Sequence, residues 1–209
     1  MDEGLLGTLP LPQRLALSYA TKASRPLFLA LFALEARLAG IVRGAGEPVI
    51  AQMKLAWWRD RFAGDPADWP EGEPLLALLR KTVAEPGELS ATVDGWEMLL
   101  AERFSSDHAK GFADGHAALW RAADPAADTM GYDWGLADLS RNLSDEAERR
   151  TATELLRERG WHGVKLARSS RPLTVLHALA RSAVANDAHD LLQGPGAMLL
   201  AMRVGITGR

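Results

Sequence analysis

RPLFLALFALEARLAGIVR, Arg25–Arg43, is the stretch whose reading decides the fold. Pro26 suits a first helical turn, where its missing N–H costs nothing. Apolar residues then cover most of the circumference instead of one stripe, which marks a helix buried on nearly every side. The uncharged run ends at Glu35 and Arg37. It is therefore too short to cross a bilayer, which takes roughly 20 apolar residues.

The neighbouring segments repeat the same device. Glu47–Ala63 (EPVIAQMKLAWWRDRFA) places Pro48 near its start, and Gly44–Ala45–Gly46 separates it from the first helix. The expectation is an antiparallel helical hairpin. Asp65–Gly72 (DPADWPEG) reads as a turn-rich loop. Further helices are expected over Pro74–Ala84, Leu89–Phe104, His108–Ala122, Pro125–Leu143, Glu146–Gly160 and Pro172–Leu192. Glu146–Gly160 is strongly charged and expected at the surface, and Lys165–Ser170 reads as a basic connection. Gly194–Pro195–Gly196 breaks the chain before a short terminal helix. Strand signals are scarce, because Val, Ile and Thr never alternate with polar residues over a useful length. Ala, at 35 residues, and Leu, Glu and Arg dominate instead, and all four favour helix. The expected fold is all-α, a single-domain helical bundle spanning residues 1–209.

Composition agrees. The chain has 209 residues, 47% hydrophobic and 24% charged, which suits one globular domain with a sizeable core. With 24 Lys and Arg against 27 Asp and Glu, the net charge is −3. That balance argues against a general nucleic-acid binder. Cysteine is absent, which excludes disulfides, thiol catalysis and iron–sulfur ligation by this chain. The first residues, MDEGLLGTLPLPQR, lack the basic and apolar regions of a signal peptide. A soluble, cytoplasmic protein with no transmembrane segment is expected, with peripheral membrane contact left open.

Few residues carry chemistry by their pattern. In GLADLSRNLSDEAERR, Asp138, Asn142 and Glu146 fall four apart, so on a continuous helix they would share one face. Oxygen ligands on such a face suit Mg²⁺, which often shares them with substrate phosphates. Arg141 could add a bidentate phosphate contact. The plainer reading, which spacing alone favours, is a solvated helix end followed by Asp145 and Glu146 in the acidic first turn of the next helix. Trp57 and Trp58 point about 100° apart on a helix. They are therefore not expected to share one site: one packs in the core and the other at an edge or interface. His108, His116, His162, His177 and His189 form no metal-binding spacing, and none is assigned a catalytic role. Arg outnumbers Lys 19 to 5, and Arg25 stands apart because it opens the most apolar helix.

RPLFLALFALEARLAGIVRGAGEPVIAQMKLAWWRD (25–60) resembles the first half of squalene/phytoene synthase family proteins. YDWGLADLSRNLSDEAERR (132–150) resembles the segment holding that family's second acidic motif, and RPLTVLHALARSAVANDAHDLLQGPGAMLLAMRVGITGR (171–209) is similar to the tails of short bacterial members. The resemblance spans about residues 14–209. It implies an isoprenoid-synthase fold, in which two aspartate-rich motifs hold Mg²⁺ ions that grip prenyl diphosphates. Metal-assisted departure of the leaving group then proceeds in a pocket shut off from water. The family's first DxxxD motif should fall in Arg37–Val42, which here reads Arg-Leu-Ala-Gly-Ile-Val with only Glu35 nearby. The second, roughly NxxRDxxED, is matched by Asp138, Arg141, Asn142, Asp145 and Glu146, with the neutral Asn142 where an aspartate belongs. The resemblance thus implies a diphosphate-binding face formed by Arg25, Asp138, Arg141, Asn142, Asp145 and Glu146, with one metal site absent and the other weakened.

Three functions follow from that implication. The first is a non-catalytic relative acting as a scaffold or assembly factor, with a protein partner or an isoprenoid or other lipid in the old cavity. The analogue is a mitochondrial complex I assembly factor carrying a squalene/phytoene-synthase domain. The second is a Mg²⁺-dependent prenyltransferase condensing isoprenyl diphosphates. The third is a passive isoprenoid or lipid carrier that needs an apolar pocket and no metal.

Overall fold

The computed structural model describes residues 2–44 and 46–209. Among them run eleven α-helices and no strand: α1 (Asp2–Thr8), α2 (Leu11–Leu17), α3 (Arg25–Arg43), α4 (Pro48–Ala63), α5 (Pro74–Thr82), α6 (Ser90–Glu97), α7 (Ser106–Ala123), α8 (Asp128–Asn142), α9 (Glu146–Arg159), α10 (Arg171–Ala185) and α11 (Pro195–Thr207). The fold is all-α, as expected from sequence. Among the described residues, no helix is long and apolar enough to cross a membrane. The expected turn between α3 and α4 is centred on Ala45, which lies outside the described residues.

The helix boundaries have local causes. α3 keeps the bounds read from sequence, with Pro26 in its first turn and Gly44 beyond its last. α8 ends at Asn142 and α9 begins at Glu146, whose start is capped by Asp145 Oδ1 accepting from the Ala147 and Glu148 amides at 2.8 and 3.0 Å. This corrects the shared face of Asp138, Asn142 and Glu146: Glu146 opens a different helix. α10 stops at Ala185, seven residues short of the expected Leu192, where Asn186 caps it and Asp187 takes a positive φ of 51°. α6 likewise ends early, at Glu97, and a short 3₁₀ turn over Met98–Leu100 follows. α1 and α2 were not expected, because Pro10 and Pro12 read as breakers. Pro12 instead sits in the first turn of α2.

α3 is the central post. Phe28–Glu35 is buried without interruption, and the helix touches α1, α2, α4, α5, α6 and α7. Trp58 and Phe62 of α4, Trp96 of α6, Phe112 and Trp120 of α7 and Trp134 of α8 complete the core. Trp57 and Trp58 divide as expected, 38% and 3% exposed. Their rings nevertheless meet edge to face at 5.1 Å, and both border one shallow groove with Lys54. The sequence reading that they cannot share a site is corrected by the reach of the indole rings. Arg59 ties α4 to α6 through Asp94, at 2.6 Å, and Glu97. α9 buries only Ala152 and Leu156 along its length, in keeping with its charge.

Two networks set the register of α8. Asp133 is fully buried and accepts from Arg159 Nε at 2.9 Å and from the His162 amide at 2.6 Å, which fastens the segment after α9. Burial would raise its pKa, but the facing His177, the His162 amide and Arg159 outweigh that and hold it below the usual carboxylate value. Glycines close the other contacts. A Cβ on Gly115 of α7 would lie 2.9 Å from the Gly95 Cα of α6. One on Gly131 of α8 would lie 2.7 Å from the His116 carbonyl, and one on Gly135 2.8 Å from the Ala113 Cα. The helices meet backbone to backbone there.

Gly115→Ala is therefore expected to destabilise the protein by about 1–3 kcal/mol, the usual cost of overpacking, although alanine is the better helix former. Gly40→Ala, in α3 with nothing within 4 Å of the added methyl, should stabilise it by roughly 0.4–1 kcal/mol. Denaturant midpoints measure both, and a stabilising Gly115→Ala would refute the close approach.

Candidate functional site

A cavity of about 470 Å³ opens between α2, α3, α8 and the segment after α10. Its wall on α3 carries Glu35, Gly40 and Arg43, and its wall on α8 carries Trp134, Asp138 and Arg141. Asn142, Asp190, His189, Gln13 and Thr8 complete the polar lining. The volume lies in the lower part of the range for one small ligand, roughly 300–1,000 Å³.

Glu35 is the most buried acid lining this cavity, 6% exposed within the apolar α3. Its Oε1 accepts from Trp134 Nε1 at 3.0 Å and from His116 Nε2 at 3.2 Å. His116 Nδ1 donates to the Phe112 carbonyl at 3.0 Å. Both ring nitrogens thus face acceptors, a pattern that the doubly protonated imidazolium satisfies. Burial alone would lower the His116 pKa, but the Glu35 hydrogen bond and the charges of Glu35 and Asp138 outweigh it and raise the pKa above its ordinary value. Glu35 Oε2 is buried with no hydrogen-bond partner.

Asp138 lies one turn beyond Trp134 on α8, its side chain 18% exposed. Its Oδ1 accepts from Asn142 Nδ2 at 2.8 Å and faces Arg141 at 3.6 Å. Burial pushes its carboxyl above the usual range, against the pull of Arg141, His116 and Arg43. Arg141 also donates from Nε to the Ala137 carbonyl at 3.0 Å, and its guanidinium carbon stands 6.0 Å from the centre of the Trp134 ring. Burial pulls its pKa down, opposed by Asp138 and Asp190. It remains a cation at any physiological pH.

Of the six residues read from sequence, Asp138, Arg141 and Asn142 come together here. Arg25 does not join them: its Nη1 donates to the Leu17 carbonyl at 2.9 Å and holds the end of α2. Asp145 is occupied as the α9 cap, and Glu146 is exposed beside Arg150 at 3.6 Å. Sequence reasoning missed His116 and Arg43 and treated Glu35 as displaced from a motif. Glu35 did carry a signal, as the lone charge interrupting the apolar run of α3. Glu35 and Asp138 each meet donors of this chain through one carboxylate oxygen, and the Asn142 amide nitrogen is turned to Asp138. Among the described residues, no group of three or more His, Asp or Glu side chains is arranged to hold a metal ion.

The raised His116 pKa sets a pH dependence with a definite sign. Its stabilising contribution is complete below the unfolded value of about 6.5 and is lost as pH rises through the higher folded value. The melting temperature should fall on the alkaline side of that window in the parent protein. The fall should flatten in Glu35→Gln, which keeps an acceptor for Trp134 but removes the charge. Thermal melts across pH, with the His116 ring followed by NMR, measure it. An unchanged slope would mean that His116 is not charged in the fold.

No curated protein and no solved structure matches this chain. Residues 14–110 match the family model of squalene/phytoene synthase. The match runs from α2 into α7 and takes in Arg37–Val42 and Glu35 of α3, but ends before α8 and its Asp138–Asn142 segment. Through that segment, in an all-α fold, the chain is similar to the squalene/phytoene synthase family.

Proposed function

We propose that this chain is a non-catalytic member of that family that acts as a scaffold or assembly factor, with its cavity kept as a small polar pocket. One observation supports the reading: the acids that would hold metal ions each already meet donors of this chain through one oxygen. Glu35 serves His116 and Trp134, and Asp138 serves Asn142 and Arg141. Where the family's first acidic motif is expected, α3 offers Arg37, with the cavity-lining Arg43 one residue beyond. Ionisation of a diphosphate without metal assistance forgoes a stabilisation worth several kcal/mol. An exposed apolar row on α4, Val49, Ile50, Met53 and Trp57, supports partner binding, since such rows commonly mark interaction surfaces. A cytoplasmic location belongs to the same proposal.

A second reading, a Mg²⁺-dependent prenyltransferase, is favoured by one feature: Arg43 and Arg141 both line the cavity beside Asp138, and guanidinium groups recognise diphosphates well. Calorimetric titration of farnesyl diphosphate with and without Mg²⁺, followed by assay of released inorganic diphosphate, separates the two. The expected result is no Mg²⁺-dependent binding and no release. Mg²⁺-dependent release that Asp138→Ala abolishes would overturn the non-catalytic reading.

The scaffold role has its own test. Trp57→Ala should leave the melting temperature nearly unchanged, because Trp57 is half-buried at the surface. It should weaken capture of the native partner about tenfold or more, as the loss of an aromatic anchor does. Trp58→Ala would instead open the core. Capture by the parent protein that never exceeds background would sink the role.

A further inference from the structure

A second hollow, of about 500 Å³, lies away from the polar cavity, between α8, α10, α11 and the segment after α9. Its walls are apolar where Met130, Ala178, Leu200 and Val204 meet. Its charged side chains are of one sign: Arg181, Arg203 and Arg209 border it, and no Asp or Glu side chain does. The polar cavity, by contrast, mixes Arg43 and Arg141 with Glu35, Asp138 and Asp190. Among the described residues, none of the three arginine side chains is held in an ion pair or hydrogen bond. His177 also lines the hollow. It is 6% exposed, and its buried Nε2 has no hydrogen-bond partner, standing 3.7 Å from Asp133.

α11, one wall of the hollow, is closely packed at its C-terminal end. A Cβ on Gly205 would run into the Tyr19 ring, and Gly208 turns the chain at a φ of 84° against the Arg171 guanidinium. The C-terminal end of α11 is therefore seated on Tyr19, just after α2, and on the start of α10, while Leu200 and Val204 line the hollow. An apolar trough with unpaired guanidinium groups at its border matches a ligand with one anionic head and one apolar chain. Burial of the chain supplies affinity, and charge-assisted bonds to the head select an anion over a neutral group.

We propose that the α10–α11 trough is a binding site for a single-chain anionic amphiphile, with Arg181 and Arg203 taking the carboxylate or phosphate head and Met130, Ala178, Leu200 and Val204 taking the chain. The site is separate from the polar cavity and independent of the non-catalytic reading. Calorimetric titration with monomeric dodecanoate tests it, beside dodecanol and vesicles of phosphatidylcholine with phosphatidylglycerol. One dodecanoate should bind per chain, more tightly than dodecanol. Arg181→Gln with Arg203→Gln, both exposed and outside the core, should weaken dodecanoate by about tenfold or more and leave dodecanol and the melting temperature unchanged. Arg141→Gln, in the other cavity, should leave it untouched. Three results would overturn the site: no dodecanoate binding up to its solubility limit, binding indifferent to the arginine pair, or binding to vesicles alone. The last would assign lipid contact to the outer row of α11, Met198, Leu199, Met202 and Ile206, instead of the trough.

Discussion

A carboxylate inside an apolar helix is costly unless donors meet it, and Glu35 is such a group. Isolated in a dry interior, its charge would cost several kcal/mol. The fold answers with Trp134 and His116, 99 and 81 residues away in sequence. That requirement brings α7 and α8 against α3 at one height and in one rotation. Much else follows from it. Gly131 and Gly135 let α8 lie on α7 closely enough for the two donors to converge, and Gly95 and Gly115 bring in α6 behind them. The cavity forms where α3 and α8 part again, one turn beyond the bond.

α8 works as a divider. Trp134 and Asp138, four residues apart on one face, belong to the polar cavity. Asp133, turned some 100° away, reaches Arg159, His162 and His177 and anchors the segment that borders the amphiphile trough. The two hollows differ in electrostatic character because of this division. One is a balanced set of opposite charges that satisfy each other. The other has charged side chains of a single sign, and Asp133, which faces its lining residue His177, is committed to Arg159 and His162. The proposed loss of metal chemistry and the proposed gain of an anion site therefore have a common root in which carboxylates have their own donors.

Much of the architecture was legible in the sequence where local rules decide it. α3 was bounded correctly because Pro26 and Gly44 mark a start and a stop that nothing distant overrides. α9 was recognised as a surface helix from its charge. α1 and α2 were missed because proline was read as a breaker when Pro12 occupies a first turn, and α10 was drawn too long because Asn186 and Asp187 end it with backbone conformations that apolar periodicity does not reveal. The site was half legible. Asp138, Arg141 and Asn142 lie within one helix, so their spacing brought them together. His116 carries no neighbouring motif, and its meaning depends on an acid 81 residues away. Asp145 and Glu146 matched a motif by spacing alone, but the chain breaks its helix at Leu143 and uses Asp145 to begin another.

The Gly95–Gly115 contact bears on how this chain can change over generations. Glycine is the smallest residue, so every substitution at either position adds at least a methyl group, and the neighbour it meets is main chain, which no change of side chain can trim. Neither position can drift alone. A tolerated replacement needs α6 and α7 to move apart together, and that displaces His116 from Glu35. Away from Arg159, the surface of α9 can exchange residues freely, while these two glycines are held in place by the main chain that each meets on the other helix.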